Sequence, residues 1–173
     1  MRKFAKIYDT IIINIKMWCY SDNCECMFGG EPVRYDGDHK LKEDLRQLVA
    51  DGKAVSVCPE VLGGLAVPRE PSEIVGGNGD DVWEGRAKVM TISGRDVTEN
   101  FKKGALASLE VVREFGGSLV ILKSGSPSCG SGEIYDGHFN GGKRSGQGVF
   151  TSLLKRYGIE VMDEHEWGTK RRK

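Results

Sequence analysis

The segment Ser118-Leu119-Val120-Ile121-Leu122-Lys123-Ser124-Gly125-Ser126-Pro127-Ser128-Cys129-Gly130 changes character halfway along. Its first half is a short apolar run bounded by polar residues, which reads as a strand buried on both faces. Its second half holds three serines, two glycines, a proline and a cysteine. Proline ends ladder pairing, and glycine and serine make turns. Glycine also lets backbone approach a ligand, while hydroxyls both donate and accept. A cysteine in such a turn gains little from burial, so packing explains it poorly. A buried strand running into a polar, glycine-rich turn is the repeating unit of a parallel α/β sheet. Such sheets bind ligands outside the carboxyl ends of their strands.

The flanks repeat the alternation of helix and strand. Upstream, Asp96 or Thr98 can cap a helix whose buried stripe is Phe101, Ala105, Leu109 and Val112, with Phe115 just past it. Gly116-Gly117 ends that helix. Downstream, eight glycines fall between Gly125 and Gly148, then a helix from about Val149 to Tyr157 stops at Gly158, and Ile159 to Met162 is a last strand. Nearer the amino end, Ile11 to Met17 reads as a strand. Leu41, Leu45, Leu48 and Val49 recur at helical spacing before Gly52, and Ala54 to Val57 is a short buried strand. Val61 to Gly79 reads as a long, packed irregular loop, and Lys88 to Ile92 as a short strand. The pattern predicts one α/β domain: a mainly parallel sheet with flanking helices, three-layered and Rossmann-like.

Composition narrows the function. Of 173 residues, 24 are glycine, about twice the usual share of ~7%. They lack a G-X-Y period, which excludes collagen. With 25 basic and 25 acidic residues, no broad phosphate-binding face is expected and nucleic acid is not the expected partner. No stretch reaches the ~18 apolar residues of a membrane span. Ile11 to Met17 contains Asn14 and Lys16 and precedes no small-residue cleavage site, so neither a membrane segment nor a signal peptide is expected. Five cysteines, an odd number in a chain of this size, point to reduced thiols and a cytoplasmic location. The basic end, residues 167–173, reads as a solvated tail. Nothing in the sequence sets an oligomeric state.

Cys58-Pro59-Glu60 repeats the geometry of the opening segment: a strand, a thiol at its end, and a carboxylate two residues on. Two such thiols at the ends of parallel strands face one crevice, which is how a metal site is built from distant segments. Cys24-Glu25-Cys26, after the first strand, offers a third thiolate. Three thiolates with one open metal position suit an iron–sulfur cluster that does chemistry, whereas closed structural centres take four ligands. Two other readings stand beside it. One is a metal-free domain whose glycine loops cradle a small anion or nucleoside. The other is a structural zinc protein using Cys24 or Cys26, Cys58, Cys129 and His138. His39 and His165 lie in charged stretches and read as solvated.

Set in order, the motifs are Pro32-Val33-Arg34-Tyr35-Asp36-Gly37, Cys58-Pro59-Glu60-Val61-Leu62-Gly63-Gly64-Leu65, Val67-Pro68-Arg69-Glu70-Pro71 and Gly94-Arg95-Asp96-Val97-Thr98. Then come Ser126-Pro127-Ser128-Cys129-Gly130, Ile134-Tyr135-Asp136-Gly137 and Gly146-Gln147-Gly148-Val149. In identity and spacing they resemble the DUF523 family, which includes the iron–sulfur-dependent thiouracil desulfurases. The resemblance covers about residues 29–166. It implies an enzyme that removes sulfur, as sulfide, from a thiolated pyrimidine or similar small thiocarbonyl compound. It implies a [4Fe-4S] cluster with three cysteine ligands and one open iron, Cys58 and Cys129 being two of the ligands. Glu60 then corresponds to the acid/base residue and Ser126 to the catalytic hydroxyl. Arg34, Arg69, Glu70, Ser128 and Asp136, with Asp96, are the polar candidates for reading the heterocycle; structural salt bridges are the equal alternative.

Residues 1–28 depart from the family. Its third cysteine lies in a Ser-Ala-Cys-Leu-type turn, whose register falls on Met27 here. Cys26 is one residue away and is the best available third ligand, with Cys24 second. Codons for Cys24-Glu25-Cys26-Met27-Phe28 can be TGT GAG TGC ATG TTT, which read one base later give Val-Ser-Ala-Cys-Leu. A shifted reading frame before about Gly29 therefore accounts for the departure, and it would impair the cluster in the chain as written.

Overall fold

The computed structural model of the chain describes residues 10–13, 47–48, 50–117 and 119–170. Its main sheet has four strands: β1 (Thr10–Ile13), β2 (Ala54–Val57), β5 (Leu119–Leu122) and β8 (Glu160–Asp163), in the order β2-β1-β5-β8. Strand β1 runs antiparallel to both its neighbours, and β5 pairs with β8 in parallel. It follows that β2, β5 and β8 all point the same way. Register brings their ends level. Thr10 lies opposite Val57, Ile11 opposite Ile121, and Leu122 opposite Asp163. The carboxyl ends of three strands thus emerge along one sheet edge.

The fold is mixed α/β, and the expected mainly parallel sheet is corrected in two respects. The first is β1, which lies against the direction of its neighbours. The second is a pair of separate two-stranded antiparallel sheets, β3 (Ser72–Val75) with β4 (Lys88–Thr91), and β6 (Glu133–Tyr135) with β7 (Lys143–Ser145). Connection length accounts for the β6–β7 pair: its short link closes only an antiparallel pair, whereas the long path from β5 to β8 provides the crossover that a parallel pair needs.

Helix α3 (Thr98–Phe115) buries the anticipated stripe of Phe101, Ala105, Leu109 and Val112, together with Gly104 and Ser108. Left-handed Gly116 caps its carboxyl end. Its start is held by Asp96, whose Oδ1 accepts from the Thr98 backbone at 3.0 Å and the Thr98 hydroxyl at 2.6 Å. Between β2 and α3 lie two short helices, α1 (Pro59–Leu62) and α2 (Gly79–Trp83), and among the described residues α4 (Val149–Arg156) and α5 (Glu164–Lys170) follow it. The stretch expected as one irregular loop from Val61 to Gly79 therefore contains the end of α1, all of β3 and the start of α2. Strand β5 is buried at all four positions, as its uninterrupted apolar run requires. Among the described residues, no helix is long and apolar enough to cross a membrane.

Candidate functional site

Strand β2 ends at Val57, and the next residue, Cys58, is fully buried. Cys58 caps α1, and Pro59 occupies the first turn, where its missing N–H costs nothing. Two glycines let α1 rest backbone to backbone on α3. A Cβ on Gly104 would stand 2.7 Å from the Pro59 carbonyl carbon, and one on Gly63 would stand 2.9 Å from that of Asn100. The Asn100 amide locks the contact by donating to the Gly63 carbonyl at 2.9 Å. This packing fixes where Cys58 and Glu60 sit.

Arg69 meets both of them. Its Nε donates to Glu60 at 2.5 Å, and its Nη2 lies 3.7 Å from the Cys58 sulfur. Each side chain of the Arg69–Glu60 pair is only 17% exposed, so the pair is partly withdrawn from solvent screening. Beside it opens a groove of about 620 Å³, whose lining includes Leu65, Pro68, Arg69, Glu70, Arg95 and Asn100. Exposed Glu70 accepts from the Ser93 hydroxyl at 2.7 Å. That bond first, and Thr91 second, hold its carboxyl below the usual range. Arg95 is a groove residue not singled out among the site candidates from the sequence. Its signal was present in the Gly94-Arg95-Asp96 motif.

The second thiol, Cys129, follows β5 and is also buried. The Ser126 hydroxyl oxygen accepts from the backbone N–H of Ser128 at 3.1 Å and of Cys129 at 3.2 Å. Helix α4 starts against this turn: Val149 N–H donates to the Pro127 carbonyl and Phe150 N–H to the Ser128 carbonyl, both at 2.9 Å. Thr151 donates its hydroxyl proton to the Cys129 carbonyl at 2.8 Å. Gly148 permits the approach, since a Cβ there would lie 2.7 Å from the Cys129 nitrogen. Ser128 is buried, and its hydroxyl has no hydrogen-bond partner among the described residues.

A third group shapes this edge, one that no local pattern along the chain marks. Glu164, 5% exposed at the end of β8, accepts from Lys123 Nζ at 2.8 Å, Ser124 N–H at 2.8 Å and the Ser124 hydroxyl at 2.9 Å. It clamps the exit from β5. Buried Glu73 does the same for the β6–β7 loop, accepting from Gly137 N–H at 2.8 Å and Phe139 N–H at 3.1 Å. Both lie in charged or turn-like surroundings, where local sequence does not separate a buried acid from a solvated one.

Of the anticipated residues, Cys58, Glu60 and Arg69 meet directly, and Glu70 lines the adjoining groove. Ser126, Ser128 and Cys129 share the second turn, after the neighbouring co-directional strand. Two strands apart in one sheet is about 10 Å. Asp136 lies in the β6–β7 loop, where its carboxylate accepts from His138 N–H at 3.0 Å and turns the backbone. Cys26 and Arg34, like Cys19 and Cys24, lie outside the described residues. Among the described residues, no three His, Cys, Asp or Glu side chains gather as a metal site, so a three-cysteine centre needs a donor from beyond them.

Comparisons with known proteins place the chain in a family. Residues 24–166 match the 2-thiouracil desulfurase family. The Bacillus subtilis (strain 168) protein YbbK, itself uncharacterized, is 52% identical over 138 residues, which cover 80% of this chain and 91% of that protein. A solved structure described as the [4Fe-4S]-dependent thiouracil desulfidase TudS (DUF523Vcz) aligns with a TM-score of 0.59 and 43% identity, covering 70% of this chain and 74% of that one. The family match begins at Cys24 rather than near Gly29, and so takes in both Cys24 and Cys26. The chain belongs to the 2-thiouracil desulfurase (DUF523) family.

Proposed function

We propose that the chain is an iron–sulfur-dependent desulfidase acting on a thiolated pyrimidine or a similar small thiocarbonyl compound. One observation carries this reading: two buried thiols, Cys58 and Cys129, follow strands whose carboxyl ends are level, with Glu60 and an open groove beside the first. The donor set fits the cluster, because thiolates are the ligands that iron–sulfur centres take. Cys58 and Cys129 would hold it, with Cys26 as third ligand and Cys24 as second choice. Held there, the cluster would supply Lewis acidity toward the C=S bond. The net change exchanges sulfur for oxygen at one carbon: water enters, sulfide leaves, and no external reductant is consumed.

The chain's own residues supply the rest. Glu60, held at the groove by Arg69, moves the proton between water and the departing sulfur. Ser126 accepts two backbone N–H groups on its oxygen, which leaves its hydroxyl proton to donate to substrate. The groove binds the ring, with Leu65 and Pro68 as apolar contacts and Glu70, Arg95 and Asn100 as polar ones. Ser128, whose hydroxyl has no partner among the described residues, is a further contact, and Arg34 and Asp136 complete the proposed readers. The three co-directional strands are the frame of the three-layer, Rossmann-like arrangement of the domain at 29–166. A reducing cytoplasm suits the thiols.

Anaerobic reconstitution tests the reading. The expected product is brown, binds iron and sulfide, and releases sulfide from thiolated bases. Cys58→Ala and Cys129→Ala should both lose the colour. A colourless protein would sink the proposal, and one containing zinc alone would favour the structural-zinc reading. Residues 1–28 are proposed to be read in a shifted frame. The gene settles that point: a nucleotide sequence in which no single-base shift restores Ser-Ala-Cys-Leu rules it out.

A further inference from the structure

We propose that Arg69 is a positioning residue that locks the proton-carrying carboxylate and a cluster-holding thiolate into one fixed relation, and not a reader of substrate. The proposal rests on the reading of Glu60 and Cys58 given above. The guanidinium is turned toward the protein. Its Nε donates to Glu60 at 2.5 Å, its Nη2 reaches the Cys58 sulfur at 3.7 Å, and its Nη1 lies 3.5 Å from the Ala66 carbonyl. Each of the three nitrogens directs one N–H to a protein atom, which sets the plane of the fork on Glu60 and Cys58, and a second arginine, Arg95, lines the groove for recognition.

The need for such a lock follows from α1. Cys58 caps, and Glu60 lies within, a helix of four residues, too short to be rigid by its own hydrogen bonds. Glycine contacts with α3 fix the backbone of α1, but they do not fix the Glu60 side chain. A planar fork that bonds a carboxylate and a sulfur together fixes both, which a lysine ammonium on its flexible stem cannot reproduce. Partial burial, 17% exposure on each side of the ion pair, keeps water from competing for the fork. Groups behind a metal ligand commonly matter this much: losing one lowers affinity or activity by about 10–100-fold.

The test compares wild type, Arg69→Gln and Arg69→Lys after anaerobic reconstitution, with 2-thiouracil as the probe substrate. Three quantities are read: the electron paramagnetic resonance spectrum of the reduced cluster, kcat and KM separately, and the thermal midpoint. The proposal expects kcat to fall by about 10–100-fold with KM changed by no more than about twofold. It also expects shifted g-values, because an N–H has been withdrawn from a ligand sulfur. Arg69→Lys should resemble Arg69→Gln, since charge alone does not restore the fork. If instead KM rises about tenfold or more while kcat and the g-values stay at wild type, Arg69 reads substrate and the proposal is overturned. Should Arg69→Gln fail to fold, Arg69→Lys carries the same comparison. A wild type that takes up no cluster defeats the desulfidase reading itself. The lock is then judged in the cluster-free protein, where the Arg69 Nε–H should give a slowly exchanging nuclear magnetic resonance signal that Glu60→Ala removes. Absence of that signal from the wild type overturns the lock.

Discussion

Replacing Gly104 with alanine sets two effects of opposite sign against each other. Alanine is the better helix former, by ~1 kcal/mol in a helix interior, and Gly104 lies well inside α3. On propensity alone, the variant should be stabilised. Against that stands the seat of α1. The new Cβ would lie 2.7 Å from the Pro59 carbonyl carbon and 2.9 Å from the Gly63 nitrogen, and closer still to the Pro59 oxygen. Ordinary contact begins near 3.4 Å, and every one of these neighbours is backbone, so no side chain can swing aside. Helix α1 must back away bodily, and overpacking of this kind costs about 1–3 kcal/mol or more. Overlap with three backbone atoms at once puts the cost at the upper end of that range, about 2–3 kcal/mol. After the ~1 kcal/mol of propensity, the net expectation is a loss of about 1–2 kcal/mol, or roughly 2–8 °C in thermal midpoint for a chain of this length. Because α1 carries Cys58 and Glu60, cluster content and sulfide release should fall further than stability does. Gly132→Ala is the control, having open space around the added Cβ. A Gly104→Ala protein as stable as wild type, or more so, with full cluster content, would show that α1 does not rest on α3 as described.

Three further outcomes are expected. Ser126→Ala removes the acceptor for the Ser128 and Cys129 N–H groups; it should cost about 0.5–2 kcal/mol in urea unfolding and depress kcat well beyond what that loss explains. Glu164→Gln keeps the shape of the clamp but weakens its bonds to Lys123 and Ser124, and denaturation should show a loss of about 1–3 kcal/mol. Asp96 has its pKa lowered to about 2, by the Thr98 hydroxyl first, then the Thr98 backbone, then Lys88. A depressed folded value gives stability that is present above the ordinary 3.8 and lost as pH falls through about 2. Asp96→Asn should therefore be less stable at neutral pH, and the gap should close between pH 4 and pH 2; a gap that persists below that window would refute the assignment.

What could be read from the chain depended on how far each feature's cause extended along it. Strand β5 and the α3 stripe were legible because burial imposes a local pattern, an unbroken apolar run in one and helical spacing in the other. The two thiols were legible as anomalies, cysteines at strand ends where packing does not ask for them. The β6–β7 hairpin was not, since Glu133, Tyr135, Lys143 and Ser145 are exposed and leave no apolar alternation. Glu164 and Glu73 were invisible for a related reason: each is buried by partners about 40 and 64 residues away in sequence. Gly104 lies between these cases. A glycine inside a good helix is locally unfavourable, which signals a close approach, but the approaching segment could be identified only in three dimensions.

The direction of β1 bears on where a third thiol would come from. Strands β2, β5 and β8 run together, and β1 alone opposes them. Thr10, at the start of β1, is level with Val57 at the end of β2, so β1 begins at the candidate site's edge and leads away from it. A strand of four residues is about 13 Å long, and the chain leaves β1 at the far side of the sheet. A return along β1 to the thiol edge needs about 13 Å, and the thirteen residues from Ile13 to Cys26 could span about 40 Å when extended. A first strand running with β2 and β5 would need no such return, because its carboxyl end would emerge beside Cys58 and the turn after it would meet the site directly. That is the placement the ligand rule for α/β sheets favours, and it is the one that a cysteine at position 27, in a Ser-Ala-Cys-Leu turn, would exploit. Strand direction and the proposed reading frame meet in one segment: residues 1–28, whose frame is proposed to be shifted, also supply β1, the strand that runs against its neighbours.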